Sequence, residues 1–391
     1  MRIETLAFID DDRVLAAAEA LRPHSDVGET AARAAWSVLT EPGDGVAGAL
    51  IEACGAVEAL RLVFSDQTLI PPDLITQRAL QEALARWRPR ADPGAVRDAL
   101  ISAREVGAQM LLPHDDLWPS GLHDLGVHMP VMLWTRGDPE VLGAARSAAI
   151  VGARAATAYG ESIAGEIAGD LAAAGTPIIS GGAYGIDGAA HRAALGVGGP
   201  TVAFLAGGVD RAYPIGHQQL FERIRQAGTV VSEVPCGVAP TKWRFLGRNR
   251  LIAAASSATV VVEAGWRSGT LNTAGHAANL GRPLGAVPGP VTSAASAGCH
   301  RLLREFDAVC VTNAQEVREL WGEMADAADP APRASHEQVR LIDAMSTRSA
   351  RDAVDIAKRS GMSVEQVRSQ LGLLALDGGV EQRDGGWVRV T

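Results

Sequence analysis

Residues 147–160 read SAAIVGARAATAYG and combine a strand, a tight turn and the start of a helix. The run SAAIVGA (147–153) has no polar alternation, which is typical of a strand buried on both faces of a parallel sheet. Gly152 permits a tight turn, and helical spacing begins at Thr157. The stretch therefore predicts a β-strand that leads directly into an α-helix.

The same alternation continues along the chain. Further strands are predicted at 176–180, 201–207, 229–234, 258–265, 283–289 and 308–311. Helices are predicted between and after them at 157–174, 187–196, 217–227, 248–257, 270–281, 296–306 and 313–322. Such alternation predicts an α/β fold with a doubly wound, mostly parallel sheet. A strand near Met110 and the run VMLWTRG (131–137) are expected to dock as an edge of this sheet.

The totals restrict the class of protein. A chain of 391 residues with 47% hydrophobic residues exceeds one usual domain and predicts two or three units. Its four cysteines show no CxxC spacing, which argues against a zinc ribbon and against a disulfide framework. The amino terminus lacks the pattern of a signal peptide, and no run approaches about 18 apolar residues, so we expect a soluble cytoplasmic protein.

The net charge of −9 hides a segregation of charge along the chain. Residues 146–322 carry 15 Lys and Arg against 12 Asp and Glu, whereas residues 1–145 carry 12 against 22. A mildly basic middle beside an acidic amino-terminal third is compatible with a local nucleic-acid groove. It excludes a protein that coats DNA by bulk charge.

Residues 1–108 are predicted to form an amino-terminal helical domain, which precedes the sheet domain at 109–322. Within it, PGDGVAGALIEACGAVEAL (42–60) predicts a turn, a helix and a second short helix after Gly55. A SAM-like or helix-hairpin-helix-like element that binds a phosphate backbone fits this pattern. A plain helical bundle fits it equally well, and the acidic surroundings favour the bundle because anions repel DNA.

The carboxyl-terminal part is predicted to be a separate module. Residues 323–334 are rich in Ala, Asp and Pro and predict a linker. Residues 335–391 predict a winged helix, with Ser363 as a helix N-cap, a hairpin turn at Asp384-Gly385-Gly386 and helices at 335–346, 351–359 and 364–376. The third helix carries Arg368 as its one cation, so a protein contact or autoregulation is as well supported as duplex reading.

The run TKWRFLGRNRLI (241–252) concentrates cations around one aromatic residue. Cations match the phosphates of a single-stranded nucleic acid, and an aromatic face can stack on a base. A solvated helix start with a structural phenylalanine would give the same local pattern. The residues predicted to bind nucleic acid are Arg154, Lys242, Arg244, Phe245, Arg248, Asn249 and Arg250.

Glycine-rich turns follow three of the predicted strands, and the carboxyl ends of parallel strands meet at one edge of a sheet. The turns are GAR (152–154), SGGAYGID (180–187) and EAGWRSGT (263–270). Glycine lets a backbone approach an anion, although tight turns also need glycine for steric reasons. The predicted anion pocket consists of Gly152, Ser180, Gly181, Gly182, Gly185, Ser268, Gly269 and Thr270.

Enzymatic chemistry has weaker support. Ser180, His191 and Asp187 could form a triad, and Asp187 and His191 could pair at (i, i+4) on one helix, but the GxSxG nucleophile elbow is missing. The alternative is a nucleotide phosphoribohydrolase-like enzyme that uses the glycine turns, with Glu263 as acid or base. We predict no catalytic residue, no metal site and no cofactor.

Eight motifs between about Leu117 and Thr312 occur together and in a fixed order. They include LWPSGL, IVGARAATAYG, IISGGAYGIDGAAHRAAL, VAFLAGGVDRAYP, GTVVSEVP and FLGRNRLIAAASSATVVVEAGWRSGTLNTAGHA. In these motifs the chain resembles the DNA-processing protein A family, DprA, also called Smf.

The resemblance implies an extended Rossmann-like fold without a bound dinucleotide, a homodimer, and binding of single-stranded DNA. It also implies that the strand is handed to the recombinase RecA, with displacement of single-strand-binding protein, during natural transformation or recombination. By the same resemblance, Arg154 and Arg248 would contact phosphates, Lys242 and Arg250 would lie in the same pocket, and Phe245 would stack on a base. The segment 299–306 would lie near the dimer contact.

Overall fold

The strand predicted at 147–153 runs from Ala148 to Val151 and lies inside a sheet of nine strands, counted over the described residues. The computed structural model describes residues 9–64, 74–323, 336–347, 349–376, 379–383 and 385–390. The chain forms two compact units, Met1–Glu323 and Met324–Thr391. The predicted linker falls outside the described residues from Met324 onward.

Helices precede the sheet in the first unit. They are α1 Asp12–Leu21, α2 Val27–Leu39, α3 Gly45–Cys54, α4 Ala56–Phe64, α5 Gln77–Trp87 and α6 Pro93–Glu105. The rings of Trp36 and Trp87 pack edge to face at 5.2 Å in their core. This core continues into the sheet through Trp134, Leu205 and Val230, so residues 1–108 and 109–322 do not pack as separate units.

The sheet and its covering helices follow the predicted alternation. The strands are β1 Gln109–Leu111, β2 Leu133–Gly137, β3 Ala148–Val151, β4 Ile178–Ser180, β5 Thr201–Leu205, β6 Gly228–Ser232, β7 Ala258–Val261, β8 Leu284–Ala286 and β9 Val309–Cys310. The helices are α7 Ala158–Ala173, α8 Ile186–Gly196, α9 Gln218–Ala227, α10 Lys242–Ala254, α11 Thr270–Asn279, α12 Ala297–Glu305 and α13 Ala314–Glu319. The predicted α/β class and the mostly parallel sheet are confirmed.

The strand order is β1-β2-β6-β5-β4-β3-β7-β8-β9. From β3 to β9 all neighbours pair in parallel, whereas β1 and β2 form an antiparallel edge beside β6, as predicted for that stretch. The chain builds outward from β3 to β6 and then crosses back to place β7 on the other side of β3. Loops therefore diverge above β3 and β7, where doubly wound folds bind their ligands.

Helix α10 begins six residues earlier than the predicted start at 248. The hydroxyl of Thr241 accepts a hydrogen bond from the amide of Arg244 at 3.3 Å and caps the helix. The cationic run is therefore helical from Lys242. Positions three or four apart share one face of a helix, so this geometry divides the cations among different surroundings.

The second unit contains the predicted winged-helix elements. They are α14 His336–Ala344, α15 Ala353–Ser360, α16 Val364–Leu376, β10 Val380–Arg383 and β11 Gly386–Arg389. The two strands pair antiparallel, and Leu341, Ile356, Val367 and Leu371 form the core. The Ser363 hydroxyl accepts from the amide of Gln366 at 3.1 Å, which confirms the predicted N-cap. Asp384 of the predicted turn lies outside the described residues.

Candidate nucleic-acid interface

A cleft of about 650 Å³ opens at the carboxyl edge of the sheet, above β3. Its walls come from the loop after β3, the exposed side of α10 and the first turn of α11. Nine of the predicted site residues line it: Gly152, Arg154, Lys242, Phe245, Arg248, Asn249, Ser268, Gly269 and Thr270. Three separate segments of the chain thus meet at one place, at the end of the sheet where its topology reverses.

Arg154 and Phe245 form the centre of the cleft. The guanidinium carbon of Arg154 lies 4.9 Å from the centroid of the Phe245 ring, which is within the range of a cation–π contact. Arg154 and Lys242 are exposed, and neither has a carboxylate within 4.0 Å among the described residues. Two positive charges without a nearby carboxylate in the described part of the chain therefore line the same cleft as a partly exposed aromatic ring.

Arg248 lies under the cleft and is only 5% exposed. It donates hydrogen bonds to the carbonyl oxygens of Gly181, at 2.8 Å, and Phe204. Burial lowers the pKa of Arg248 to about 10, although the charge of Asp187 opposes this shift. The side chain stays charged at neutral pH. Its Nη1 makes both backbone hydrogen bonds, whereas its Nε is buried without a hydrogen-bond partner among the described residues. Arg248 therefore supports the floor of the cleft, and Arg154 and Lys242 line the cleft as exposed cations.

Two amides of the turn after β4 are bonded within the turn itself. The amides of Gly181 and Ala183 donate to Oδ2 of Asp187, at 3.2 and 3.4 Å, and the Ser180 hydroxyl donates to the carbonyl of Ile150. Gly182 and Gly185 adopt positive φ values of 65° and 74°, which glycine tolerates best. Two of the donors predicted for a bound anion, the Gly181 amide and the Ser180 hydroxyl, thus bond to groups of the protein itself.

The Ser180, His191 and Asp187 side chains make hydrogen bonds to groups outside the triad considered above. His191 is fully buried and shares a hydrogen bond of 2.7 Å with the Thr201 hydroxyl, so the (i, i+4) pair with Asp187 does not form. Burial lowers the pKa of His191 to about 3. Glu263 is 2% exposed and accepts hydrogen bonds from the amide and hydroxyl of Thr157, at 2.9 and 2.6 Å. Its carboxylate stabilises the start of α7.

The first turn of α11 is tied to the loop after β3. The Thr270 hydroxyl donates to the carbonyl of Gly152 at 2.9 Å, and the Ser268 hydroxyl donates to that of Thr270 at 3.1 Å. Gly269 lies between them and lines the cleft. These bonds fix one wall of the site at a defined distance from Arg154.

Arg244 and Arg250 face away from the cleft, toward the turn between α2 and α3. Arg244 binds both carboxylate oxygens of Glu41, at 2.8 and 2.9 Å. Arg250 pairs with Glu233 at 2.7 Å, and Glu233 also accepts from the amide of Gly43. The prediction that Arg250 shares a pocket with Lys242 is wrong, because both arginines are neutralised by carboxylates that fasten the amino-terminal helices to α10.

Some lining residues were missed in the sequence. Tyr213 lies 5.5 Å from Phe245, ring centroid to centroid, and half of its surface is exposed. Thr241 and Pro240 complete this rim, and Trp243 beside them is 76% exposed. The run DRAYP (210–214) contains an aromatic residue in a loop after a strand, which was the available signal.

Two further findings concern the described residues as a whole. No cluster of three or more His, Cys, Asp or Glu side chains in the described ranges could hold a metal ion. No helix in the same ranges is long and apolar enough to cross a membrane.

Comparison with known proteins gives consistent matches over most of the chain. Residues 109–322 match the family described as DNA recombination-mediator protein A, and residues 325–386 match the DprA winged helix domain. The chain is 42% identical over 375 residues to the DNA processing protein DprA of Mycobacterium tuberculosis, covering 90% of this chain and 93% of that protein. The protein Smf of Escherichia coli is 37% identical over 254 residues, covering 62% of this chain and 67% of that protein.

A solved structure shares the fold. The crystal structure of DprA from Streptococcus pneumoniae superposes with a TM-score of 0.61 at 30% sequence identity. The match covers 74% of this chain and 96% of that one. The likeness therefore extends over nearly the whole of the solved protein.

Proposed function

The chain belongs to the DNA recombination-mediator protein A family, DprA/Smf, and from this premise we propose that it binds single-stranded DNA in the cleft above β3. The observation that carries the proposal is a pair of exposed cations, Arg154 and Lys242, that share the cleft with Phe245 and have no carboxylate within 4.0 Å among the described residues. The two cations would bind phosphates. The Phe245 ring would stack on a base, which favours a strand whose bases are unpaired.

Arg248 has an indirect part in this proposal. Its charge lies beneath the cleft and adds to the positive potential there, while its hydrogen bonds hold the turn after β4 and the end of β5 in place. Ser268 and Thr270 would position or contact a phosphate at the opposite wall. Arg244 and Arg250 would act through the packing of α10, because their charges are already paired.

The binding proposal is tested by comparing single-stranded with duplex DNA, by anisotropy at several salt concentrations, for wild type, Arg154→Ala and Lys242→Gln. Each variant should bind the single strand more weakly and lower the salt slope by roughly 0.7. Arg78→Ala, on α5 and outside the cleft, is the control because its side chain is 89% exposed. Unchanged affinity and slope in both cleft variants would refute the proposal.

Lysine labelling gives a second readout on the unmodified protein. Lys242 and Lys358 are the two lysines of the chain, and both are exposed. Bound single-stranded DNA should protect Lys242 from an amine-reactive acetylating reagent, as measured by mass spectrometry, while Lys358 reports on the second unit. Equal acetylation of Lys242 with and without DNA would contradict contact at the cleft.

We further propose that the protein acts in the cytoplasm as a homodimer and hands the strand to RecA while displacing single-strand-binding protein, without catalysing a reaction itself. Family membership supports this proposal. Its test is RecA filament formation on DNA coated with single-strand-binding protein, with and without this protein. No observation favours the enzymatic alternative, because Glu263 is buried and hydrogen bonded. Release of free base from nucleoside monophosphates by the purified protein would support that alternative.

A further inference from the structure

A second groove of about 590 Å³ lies beyond the rim of the cleft, between α9 and the strands β2 and β6. Tyr213 and Pro240 line both cavities, so they form a shared ridge between them. Tyr213 on this ridge is 50% exposed, and Ile215, which lines the second groove beside it, is 78% exposed. A chain molecule that leaves the cleft over this ridge enters the second groove directly.

The far wall of this groove is positively charged. Arg136 on β2 is half-buried, and its Nε donates to the carbonyl of Val106 at 2.7 Å. Among the described residues no carboxylate lies within 4.0 Å of its guanidinium group. Burial, and then the nearby charge of Arg225, lower the pKa of Arg136. Arg136 and Arg225 line the same groove, and the carboxylates of Glu222 and Asp210 act on the pKa of Arg136 in the opposite sense.

The other charges of the groove do not cancel this potential. Arg225 pairs with Glu222, one turn earlier on α9, and Glu222 is half exposed. The Nε atom of Arg211 lies 3.6 Å from Oδ2 of Asp210. The described residues that line the groove thus include three arginines and two carboxylates. Arg136 is the arginine among them that has no ion pair. A phosphodiester matches such a groove better than a carboxylate-rich partner does, since the guanidinium fork binds phosphate oxygens in pairs.

We propose that the single strand bound in the cleft continues over Tyr213 into this second groove, where Arg136 and Arg225 bind its phosphates. The inference rests on the proposed function and extends it by a longer DNA path. A strand just long enough to fill the cleft makes no contact with the groove, whereas a longer strand occupies both. The groove arginines should therefore affect affinity only above a certain strand length.

The experiment compares oligonucleotides of about 4 and about 16 nucleotides, which span the site sizes of small single-strand-binding modules. The variants are Arg136→Gln and Arg225→Gln. Arg78→Gln is the matched control, because Arg78 also pairs with a glutamate on its own helix. Each groove variant should weaken binding of the long strand about tenfold and lower its salt slope by roughly 0.7. Binding of the short strand should be unchanged.

The outcomes separate this inference from the proposed function. Groove variants that bind the long strand as tightly as Arg78→Gln would overturn the inference, and so would an equal loss for both strand lengths. The cleft is tested independently by Arg154→Ala with the short strand, whose affinity must fall if the proposed function holds. Should loss of the Val106 contact unfold Arg136→Gln, Arg225→Gln decides the matter, because that side chain makes its ion pair at the helix surface.

Discussion

Replacing Arg248 by alanine should damage the fold more than it damages any direct DNA contact. The substitution removes the Nη1 group that donates to the carbonyls of both Gly181 and Phe204. It also removes a positive charge that stabilises the buried carboxylate of Asp187. Each hydrogen bond from a charged group contributes about 1.5–3 kcal/mol, and removal of one partner from a buried charge network costs about 3–5 kcal/mol. We expect Arg248→Ala to lose about 3–5 kcal/mol of unfolding free energy.

The loss of unfolding free energy in Arg248→Ala should become smaller as the pH falls. Burial raises the pKa of Asp187, while Arg248 and the amides of Ala183 and Gly181 oppose that rise. Without Arg248 this pKa rises further, so the folded variant binds the proton more strongly than the unfolded chain does. Acidification from neutral pH toward about pH 4, the ordinary range of Asp, therefore favours the folded variant. The difference from wild type should shrink as the pH falls.

Urea unfolding followed by tryptophan fluorescence measures this effect, because Trp134 is fully buried in the same unit. Arg154→Ala is the control: its side chain is exposed, so its unfolding free energy should stay within about 0.5 kcal/mol of wild type while its DNA affinity falls. If Arg248→Ala unfolds at the same urea concentration as wild type, Arg248 does not have the supporting role inferred from its hydrogen bonds. A deficit in that variant that grows as the solution is acidified would also refute that role.

Two further predictions concern the cleft and the buried histidine. Phe245→Ala should lose roughly 1–3 kcal/mol of the binding free energy for single-stranded DNA, with an unchanged salt slope. Phe245→Trp should restore the affinity. An alanine variant that binds like wild type would exclude stacking of a base on Phe245. Burial lowers the pKa of His191 to about 3, so this side chain takes up a proton more readily in the unfolded chain than in the folded one. The free energy of unfolding should therefore fall by up to about 1.4 kcal/mol per pH unit as the pH drops from about 6.5 toward about 3. His191→Leu should flatten this dependence in urea titrations, and equal slopes in both proteins would assign it to other groups.

Much of the fold follows from local patterns in the sequence. Apolar runs at 147–153, 201–207 and 229–234 lack polar alternation, and each forms a buried strand of the sheet; the first two pair in parallel on both sides, and the third pairs in parallel with β5 and antiparallel with β2. The position of the cleft was also predictable, because glycine turns after strands meet at one edge of a parallel sheet. The sequence motifs assign Arg154 and Phe245, 91 residues apart in the chain, to the same site, and in the structure the Arg154 guanidinium carbon lies 4.9 Å from the centroid of the Phe245 ring.

The fate of each cation in 241–252 was decided by the tertiary structure. Arg244 and Arg250 are neutralised by Glu41 and Glu233, and Glu41 is 203 residues away from Arg244 along the chain. Arg248 is turned inward by the helix that starts at Thr241. Local sequence specifies charge and helical spacing, but whether a charge is buried, paired or free depends on which distant segment packs against it. The same holds for the second groove, where Arg136 on β2 and Arg225 on α9 are brought together only by the folded sheet.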